Sequence, residues 1–450
     1  MDLEKYQVFI GLEVHIELET KAKMFCSCQA DHFAKKPNTQ VCPVCLGLPG
    51  ALPYPNQEAI KSTLKLGLVF NSKIASLSKF DRKHYFYPDL PKGYQISQYD
   101  LPLASGGHWF SEEKKKINII RIHLEEDTAK LIHEKVKDKD VTLVDFNRSG
   151  VPLLELVTAP DFSDPDEVLT FLKELQLIVK YLKISSADME KGSMRLEANV
   201  SLQAKSKKRQ AARLPDYKVE LKNINSFRFL GKAIRAEIQR QIEIYEKGGR
   251  PKQETRGYNE AKGKTFSQRT KEEAQDYRYF PEPDIPPITI NKDFLKLIKN
   301  EIPEMPREKL ERLKKEYQIK SEYAWIFVSD QNLADYFEKA VSLAKESKIK
   351  PKEIADLLIN KKMHLEFPEP GGLVRKIMKA RQRKFLGEKV VLKEVGAILG
   401  QYPQALADYN KGKTQVIGFL IGQVQKKLKN KANVETIITS LNKLLKEKIN

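Results

Sequence analysis

Hydrophobic and polar residues alternate along several stretches of the first 280 residues, and turn signals separate these stretches. The alternation is typical of antiparallel strands that bury one face. The clearest examples are residues 8–19, 120–127, 194–202 and 217–222. We therefore predict a sheet with one apolar and one polar face in this part of the chain.

Apolar residues recur at helical spacing in fewer places of the same part. Residues 165–182 show the pattern most clearly, with Asp164 placed to cap a helix and Pro165 suited to its first turn. A second helix is predicted for residues 227–247, which a pair of glycines follows. Four prolines between residues 281 and 287 then predict an extended linker, because proline disfavours helix at its own position and at the one before it.

The rest of the chain is helical in pattern. Pro306 and Pro351 are each placed to open a helix, whereas Pro368, Pro370 and the two glycines that follow indicate a second break. The sequence thus predicts an α+β protein with three parts: an antiparallel-sheet domain at residues 1–290, an all-helical domain at residues 291–370 and a small helical tail domain at residues 371–450.

The charge of the chain is unevenly distributed. The 450 residues include 79 Lys and Arg against 60 Asp and Glu, a net charge of +19. Residues 371–450 hold 17 Lys and Arg against 5 Asp and Glu, which accounts for +12 of that total. Such a basic segment indicates a polyanionic partner, with nucleic acid first. A lysine-rich proteome would also raise the net charge, but it would not concentrate the excess at one end.

Composition excludes several classes of protein. With 41% hydrophobic and 31% charged residues, the chain is not collagen-like, mucin-like or wholly disordered. No apolar run approaches the roughly 18–20 residues that cross a bilayer, and the first residues lack the features of an export signal. We expect a cytoplasmic protein with no membrane partner.

Four cysteines form two close pairs, Cys26 with Cys28 and Cys42 with Cys45. Disulfides are not expected without an export signal, since the cytosol keeps thiols reduced. Two short knuckles can place four thiolates around Zn²⁺, and four ligands leave no open position for water. We predict a structural zinc site on an insertion at residues 26–45. Buried cysteines without metal are the alternative.

The polar faces of the predicted strands combine Glu, His, Arg and Asn, whereas solvated faces commonly carry Lys, Thr and Gln. If the strands are neighbours, carboxylates, imidazole and basic groups converge, which suits Mg²⁺ and phosphoryl transfer. An ordinary solvated face is the alternative. The alternation selects Glu125 rather than Glu126 for this face. The polar sets are Glu13, His15 and Glu17; Arg121, His123, Glu125 and Asp127; Arg195, Glu197, Asn199 and Ser201; and Lys218, Glu220 and Lys222.

Glu155 lies inside an apolar run, where an unpaired carboxylate is costly, so it is expected to face a cation or a hydrogen-bond donor. The chain has no phosphate-binding loop of the Gly-x-x-x-x-Gly-Lys-Ser/Thr type, no kinase signature and no dinucleotide fingerprint. Any nucleotide site must therefore be built differently.

Long sequence strings resemble those of one known family. They include Ile-Gly-Leu-Glu-Val-His at residues 10–15 and Asn-Arg-Ser-Gly-Val-Pro-Leu-Leu-Glu at residues 147–155. Over nearly its whole length the chain resembles the GatB family (GatB and GatE), which comprises B subunits of aspartyl/glutamyl-tRNA(Asn/Gln) amidotransferases. Further strings that carry the resemblance lie at residues 46–53, 82–98, 222–227, 276–284 and 418–423.

The resemblance implies a cradle-shaped sheet domain, a helical domain and a YqeY-like tail that contacts tRNA. It also implies a heterotrimer with the A and C subunits of the amidotransferase, acting on tRNA-Gln charged with glutamate or tRNA-Asn charged with aspartate. The B subunit would phosphorylate the side-chain carboxylate with ATP, and ammonia released from glutamine on the A subunit would displace phosphate. The expected enzyme is a carbon–nitrogen ligase with glutamine as nitrogen donor, with ATP, Mg²⁺ and structural Zn²⁺ as cofactors.

Metal-binding roles also follow from the resemblance. It places Mg²⁺ on Glu13, His15, Glu125 and Glu155. Glu197, Glu220 and Lys222 are expected to surround these ligands. The family usually has Asp at the position of Glu197, and it usually reads Ala-Gly where this chain has Thr128 and Ala129.

The predicted catalytic set combines Glu125 with basic residues. Lys83 is the first candidate for stabilising phosphate charge, and Arg82, Arg195 and Lys222 are further candidates. Each of these cations can instead belong to a structural ion pair.

A function of another class is the alternative: a zinc-stabilised tRNA-binding module whose acidic cluster is structural. Carboxylates repel phosphate unless a metal ion intervenes, so a face that only binds RNA is not expected to gather them. The sequence therefore favours the enzyme.

Overall fold

Strands occupy the first part of the chain and helices the second, in a computed structural model that describes residues 3–205, 214–270, 277–381, 386–410, 413–429 and 431–449. The chain divides into two compact units, Met1–Lys309 and Leu310–Asn450. The sheets lie in the first unit, and the second is helical. The predicted α+β class is confirmed.

The alternating segments of the sequence form strands, as predicted. Three of the four give the longest strands of the described chain, because each buries one row of apolar side chains. In chain order the strands are β1 (Tyr6–Glu17), β2 (Lys73–Ile74), β3 (Leu77–Ser78), β4 (Asp81–His84), β5 (Tyr94–Ser97), β6 (Ala104–Ser105), β7 (His108–Phe110), β8 (Lys116–Glu126), β9 (Lys130–Val136), β10 (Lys139–Asp145), β11 (Pro152–Thr158), β12 (Met194–Ala204), β13 (Val219–Ile224), β14 (Glu254–Asn259), β15 (Lys264–Thr270), β16 (Phe280–Pro281) and β17 (Ile288–Thr289).

The two predicted helices of the first unit are confirmed. The Asp164 carboxylate accepts a hydrogen bond from the Asp166 amide at 2.8 Å, and the Ser226 hydroxyl accepts one from the Phe229 amide at 3.1 Å, so each helix begins behind a capping residue. The helices of this unit are α1 (Gln57–Val69), α2 (Pro165–Tyr181), α3 (Phe227–Glu246) and α4 (Lys292–Asn300), with a short 3₁₀ helix at Leu3–Lys5.

A ten-stranded sheet dominates the described part of the first unit. Its strand order is β15-β14-β13-β12-β1-β11-β8-β6-β2, and β7 pairs with β8. The pairs are antiparallel except β13 with β14, which are parallel. A smaller sheet, β16-β4-β5, also belongs to this unit. The predicted antiparallel sheet is thus present with one parallel pair.

The apolar face of the large sheet packs against helices. Ile10, Leu12 and Val14 of β1 are almost fully buried and belong to the same core cluster as Phe171 of α2 and Ile234 of α3. Each such side chain contributes about 1.5–3 kcal/mol through removal from water. Since the helices cover this face, the polar residues of the same strands are left on the other face.

The second unit is built from helices. Pro306, at the end of the first unit, and Pro351 each open a helix, as predicted. Pro370 also opens a helix, and Gly371 and Gly372 lie in its first turn, where the sequence indicated a break. Proline is tolerated there because its missing amide hydrogen would have no partner within the helix. The helices are α5 (Pro306–Tyr317), α6 (Ser321–Ser329), α7 (Gln331–Ala344), α8 (Pro351–Lys361), α9 (Met363–Glu366), α10 (Pro370–Arg381), α11 (Glu388–Gln401), α12 (Pro403–Asn410), α13 (Val416–Lys427) and α14 (Val434–Ile449), with a 3₁₀ helix at Lys345–Ser347.

Two groups of helices can be distinguished within this unit. Helix α10 packs against α7, and Leu373 and Ile377 of α10 are buried. Helices α11 to α14 share a separate apolar cluster that includes Val395, Val424 and Leu441. The division of the chain at residues 290 and 370 stays a prediction. No helix of the described residues is long and apolar enough to span a membrane.

Candidate active site

The polar face of the large sheet lines a cavity of about 440 Å³. The central strands β1, β8, β11, β12 and β13 supply its floor. Its wall includes residues from β4 and β5, from the segments that follow β4, β5 and β8, and from residues 277–279. Among the predicted site residues, the cavity is lined by Glu13, His15, Lys83, Glu125, Glu155, Arg195, Glu197, Glu220 and Lys222.

Strand register brings these side chains together. His15 of β1 lies opposite Glu155 of β11 on one side and Arg195 of β12 on the other. Glu155 in turn lies opposite His123 of β8. Directly opposed residues on neighbouring strands project to the same face, so one row of charged and polar groups crosses four strands.

The first acidic cluster consists of His15, Glu125 and Glu155. The Nε2 atom of His15 lies 3.6 Å from Glu125 Oε1 and 3.4 Å from Glu155 Oε2. One ligand atom from each residue lies within 4.8 Å of the other two, a spacing that a single metal ion can bridge. The carboxylates are buried, with only 4% and 9% of the Glu125 and Glu155 side chains exposed.

Burial and mutual attraction set the protonation of this cluster. Burial disfavours the charged imidazole of His15, but the hydrogen bond and charge of Glu155 outweigh it and raise the His15 pKa to about 9. Burial and the nearby Glu155 raise the pKa of Glu125. Burial works against the charge of Glu155 too, yet His123 and His15 hold its pKa below the usual range. In this arrangement a positive charge is required beside the carboxylates, and either a proton or a metal ion can supply it.

A second acidic cluster lies on the neighbouring strands. Glu13, Glu197 and Glu220 bring one oxygen each to within 4.8 Å of one another. The register places Glu13 directly opposite Glu197. Lys222 Nζ lies 2.9 Å from Glu197 and 3.6 Å from Glu220, and these carboxylates outweigh burial and raise the Lys222 pKa. Three carboxylates without a nitrogen donor fit a hard cation such as Mg²⁺.

The four predicted Mg²⁺ ligands are therefore divided between two clusters in one cavity. His15, Glu125 and Glu155 fall in the first, whereas Glu13 falls in the second with Glu197 and Glu220. A site with a nitrogen donor suits Mg²⁺ less well than the all-oxygen cluster. The predicted roles of these residues as metal ligands stay predictions.

Lys83 projects into the cavity between aromatic rings. Its Nζ atom lies 5.0 Å from the ring centre of Tyr277 and 5.7 Å from that of Tyr85. Burial works against its charge, but Glu125 and Glu155 outweigh burial and raise its pKa. Lys83 is thus a cation held at the carboxylate cluster without a direct ion pair among the described contacts.

Arg195 also faces the cavity and is held by a buried acid. Its Nη2 atom donates to Asp127 Oδ2 at 2.9 Å. The charge of Asp127 outweighs burial and raises the pKa of Arg195. Glu17 also lies near Arg195, and its carboxyl group is hydrogen-bonded to Asp127. The Arg195 guanidinium is therefore fixed in one place.

The structure does not bring Arg82 to the cavity. Its Nε and Nη2 atoms donate to the two carboxylate oxygens of Glu282 at 2.6 and 2.9 Å, and its guanidinium lies 4.4 Å from the ring centre of Tyr94. Arg82 and Lys83 are neighbours on β4, so they project to opposite sides. The sequence left two interpretations of Arg82, a catalytic cation or a member of a structural ion pair. The structure shows the ion pair, with Glu282, and the catalytic role stays a prediction.

The four cysteines also meet in one place. Their sulfur atoms all lie within 4.8 Å of one another, as a shared metal ion requires. A hydrogen bond from the Cys26 thiol lowers the pKa of Cys45 to about 4, and the same bond raises the pKa of Cys26. An all-sulfur donor set at this spacing fits Zn²⁺. The residues present thus suit the predicted structural zinc site.

Comparisons with known proteins agree with this architecture. Residues 8–296 match the family model described as the GatB/GatE catalytic domain, and residues 310–449 match one described as the GatB domain. The B subunit of the aspartyl/glutamyl-tRNA(Asn/Gln) amidotransferase of Thermotoga maritima is 42% identical over 483 aligned positions, which cover 98% of this chain and 99% of the relative. The chain belongs to the GatB family. The B subunit of the same name from Carboxydothermus hydrogenoformans is 40% identical over 492 positions, with 99% of each chain covered.

Several cavity residues of this GatB-family chain were not among the predicted site residues. His123 is buried, with Nε2 3.4 Å from Glu155 Oε2, and burial lowers its pKa to about 4. Its place on the alternating face of β8 was the available signal. Tyr277 and Tyr279 lie in the string at residues 276–284 that carried the family resemblance, which was the available signal, but no hydrophobic alternation assigned them to the site. Asp276, which opens the same motif, lies outside the described residues.

The zinc centre of this GatB-family chain can be tested by metal analysis. The purified chain is expected to contain about one Zn²⁺ per molecule, and Cys26→Ser/Cys42→Ser is expected to contain almost none, because two of four thiolates are lost. Ser27→Ala, which changes an exposed residue between the first two cysteines, is the matched control and should keep its zinc. Elemental mass spectrometry gives the content. Full zinc in the double serine variant would exclude the cysteine centre.

Proposed function

We propose that this chain is the activating subunit of a tRNA-dependent amidotransferase. It would use ATP to phosphorylate the side-chain carboxylate of glutamate on tRNA-Gln, of aspartate on tRNA-Asn, or of both. Membership of the GatB family and the name shared by the relatives support the reaction class. The observation that carries the proposal is the cavity in which two acidic clusters lie beside the cations Lys83, Arg195 and Lys222.

The chemistry explains why such a cavity is needed. A carboxylate is a poor electrophile, because its negative charge repels nucleophiles and it lacks a good leaving group. When a carboxylate oxygen attacks the γ-phosphorus of ATP, ADP leaves and an acyl phosphate forms. Ammonia then attacks the acyl carbon and phosphate departs, which yields the amide. Phosphoryl transfer depends mainly on positioning and on neutralising charge.

The acidic clusters would hold Mg²⁺. The predicted ligands are Glu13, His15, Glu125 and Glu155, and the geometry adds Glu197 and Glu220 beside Glu13. Bound Mg²⁺ supplies neutralisation of the phosphate oxygens of ATP. The extra methylene of Glu197, relative to the aspartate usual in the family, is compatible with a direct role because its carboxylate reaches the other two.

The cations of the chain would place the phosphate groups. Lys83 lies beside the first acidic cluster, and Arg195 is held by Asp127 in the wall of the same cavity. Both cations would lie near the position where the γ-phosphate of ATP meets the side-chain carboxylate of the substrate. Lys222, paired to Glu197, would orient that carboxylate as well as contribute charge.

The remaining parts of the proposal concern partners. The A and C subunits would complete the heterotrimer, with ammonia delivered from glutamine on the A subunit. The basic tail, predicted as a separate domain, would contact tRNA, since most of the excess positive charge of the chain lies in residues 371–450. The cysteine centre would hold structural Zn²⁺.

A non-catalytic tRNA-binding module is the second candidate, but the burial of the acids favours the enzyme. Glu125 and Glu155 are nearly inaccessible to solvent, and a face that only binds RNA gains nothing from them, because they repel phosphate. A cation-binding role gives them a function.

The first test replaces one buried acid. In the reconstituted heterotrimer, Glu125→Gln should reduce formation of the activated aminoacyl intermediate by about 10²–10³-fold, since a charge-stabilising group is lost at the reacting centre. Binding of aminoacyl-tRNA, measured by filter retention, should stay within about twofold of wild type, because the tail is untouched. The exposed Glu113→Gln serves as control and should behave as wild type in both assays. Activation at the wild-type rate in Glu125→Gln would reject the catalytic role of this cluster.

A second test concerns the tail. A chain that ends at Arg381 keeps α10 and its packing on α7, but it lacks the apolar cluster of α11 to α14. Within the heterotrimer it should bind tRNA more weakly and with a smaller salt dependence, because fewer phosphate contacts release fewer counterions. The slope of log affinity against log salt concentration measures this.

A charge-only variant separates charge from the loss of folded chain. Lys393→Gln/Lys426→Gln changes two exposed lysines on α11 and α13. If both contact phosphates, the slope should fall by about two, at roughly 0.9 for each contact. An unchanged slope in both the truncated chain and this variant would exclude helices α11 to α14 as the tRNA contact.

A further inference from the structure

Lys23 is buried to an extent that is unusual for a lysine. Only 1% of the residue is exposed, and it is among the largest fully buried side chains of the described chain. Lysines of folded proteins almost always keep the ammonium group in water unless it is paired. The position of Lys23, three residues before Cys26, places it beside the four-cysteine centre.

All three hydrogens of the Lys23 ammonium group can be assigned to acceptors. Nζ lies 2.8 Å from the carbonyl oxygen of Gln40, 3.3 Å from that of Phe146 and 3.7 Å from Cys45 Sγ. An ammonium group has three donors and no acceptor, so these contacts use its full capacity. Two of the acceptors are neutral, and the third is a cysteine sulfur.

No carboxylate within the described part of the chain pairs with this ammonium group. Among the ion pairs of the described residues, none includes Lys23. The buried acid Glu126, which lies near Gly150, is paired with Lys92 at 2.6 Å. A buried charge without a counter-charge costs several kcal/mol. Among the acceptors of the Lys23 ammonium group, the Cys45 sulfur is therefore the one that can carry a negative charge.

The local backbone shows that the contact is close-packed. Gly150 has φ +86°, and a Cβ atom there would lie 3.5 Å from both Cys45 Cβ and Lys23 Cδ. Ser149 Oγ donates to the carbonyl oxygen of Cys45 at 3.2 Å. The turn at 149–150 thus lies against the lysine stem and the second cysteine knuckle together.

We propose that Lys23 is the buried counter-ion of the four-cysteine centre, where it retains the metal ion by neutralising part of the thiolate charge. The inference rests on the proposed zinc centre. Four thiolates around a divalent ion carry a net charge of −2, which is costly in a site where Cys45 is only 3% exposed. One ammonium group halves that charge and donates to a ligand sulfur, in the manner of the hydrogen bonds that commonly support metal ligands.

The test compares zinc retention by full-length variants at a fixed pH. Lys23→Met keeps the length of the stem and removes the charge, and Lys23→Arg keeps the charge. Lys21→Met changes an exposed lysine of the same segment and is the matched control. Each zinc-loaded chain is mixed with the chromogenic chelator 4-(2-pyridylazo)resorcinol, and the rate of zinc release is followed by absorbance. Lys23→Met should release zinc about 10–100-fold faster than wild type, and Lys21→Met should match wild type.

Cobalt substitution gives a readout that a purely structural role would not move. In the Co²⁺-loaded chain, loss of a positive charge beside Cys45 should shift the thiolate-to-metal charge-transfer band to longer wavelength, because the sulfur electrons are held less tightly. Lys23→Arg should leave this band close to its wild-type position and release zinc at a rate nearer to wild type than to Lys23→Met.

The outcomes separate this inference from the zinc proposal itself. A wild-type chain without zinc would reject the zinc centre. With zinc present in wild type, release from Lys23→Met within twofold of wild type would overturn the counter-ion role, as would equal losses in the Met and Arg variants, since packing would then be responsible. If Lys23→Met does not fold, Lys23→Arg becomes the deciding variant. A folded, zinc-loaded Lys23→Arg protein supports the counter-ion role of Lys23, and failure of this variant to fold rejects that role.

Discussion

Pairing of opposite charges across strand boundaries is the interaction on which the candidate active site depends. The central strands place His15, Glu155 and Arg195 in one row on a face that is largely closed to water. Each of these charges would be costly alone in such a place. The register pairs His15 with Glu155, and Arg195 takes its counter-charge from Asp127 at 2.9 Å, so the sheet can keep an ionised surface next to its apolar core.

The same pairing explains why the cavity holds a mixture of charges. The carboxylates of the first cluster outweigh burial and raise the pKa of His15 to about 9, and the charged imidazole of His15 helps to keep Glu155 ionised. A metal ion that enters this cluster replaces a proton, and two cations of the wall are already held in position by acids that do not belong to the cluster. Arg195 is held by Asp127, and Lys222 by Glu197. The wall is therefore organised before any ligand arrives, which suits phosphoryl transfer.

The period-two pattern predicted much of this site because side-chain direction along a strand is a local property. It selected Glu125 over Glu126, and in the structure Glu125 lines the cavity whereas Glu126 pairs with Lys92. It did not show that Glu13 belongs with Glu197 and Glu220, because that grouping depends on the register of strands that are distant in the sequence. Tyr277 and Lys23 were not found for the same reason: their importance comes from contacts made only in the folded chain.

The cysteine insertion is continuous with the active-site face. His32, between the two cysteine pairs, places Nε2 3.1 Å from Glu17 Oε2 on β1. Burial raises the pKa of Glu17, which favours the protonated carboxyl that donates to Asp127, and Asp127 in turn holds Arg195 at the cavity wall. Glu17 lies two residues beyond His15 on β1, so its hydrogen bond with His32 joins the insertion to the strand that carries a cavity residue. The contacts from His32 through Glu17 and Asp127 to Arg195 therefore join the cysteine insertion to a cation of the cavity wall.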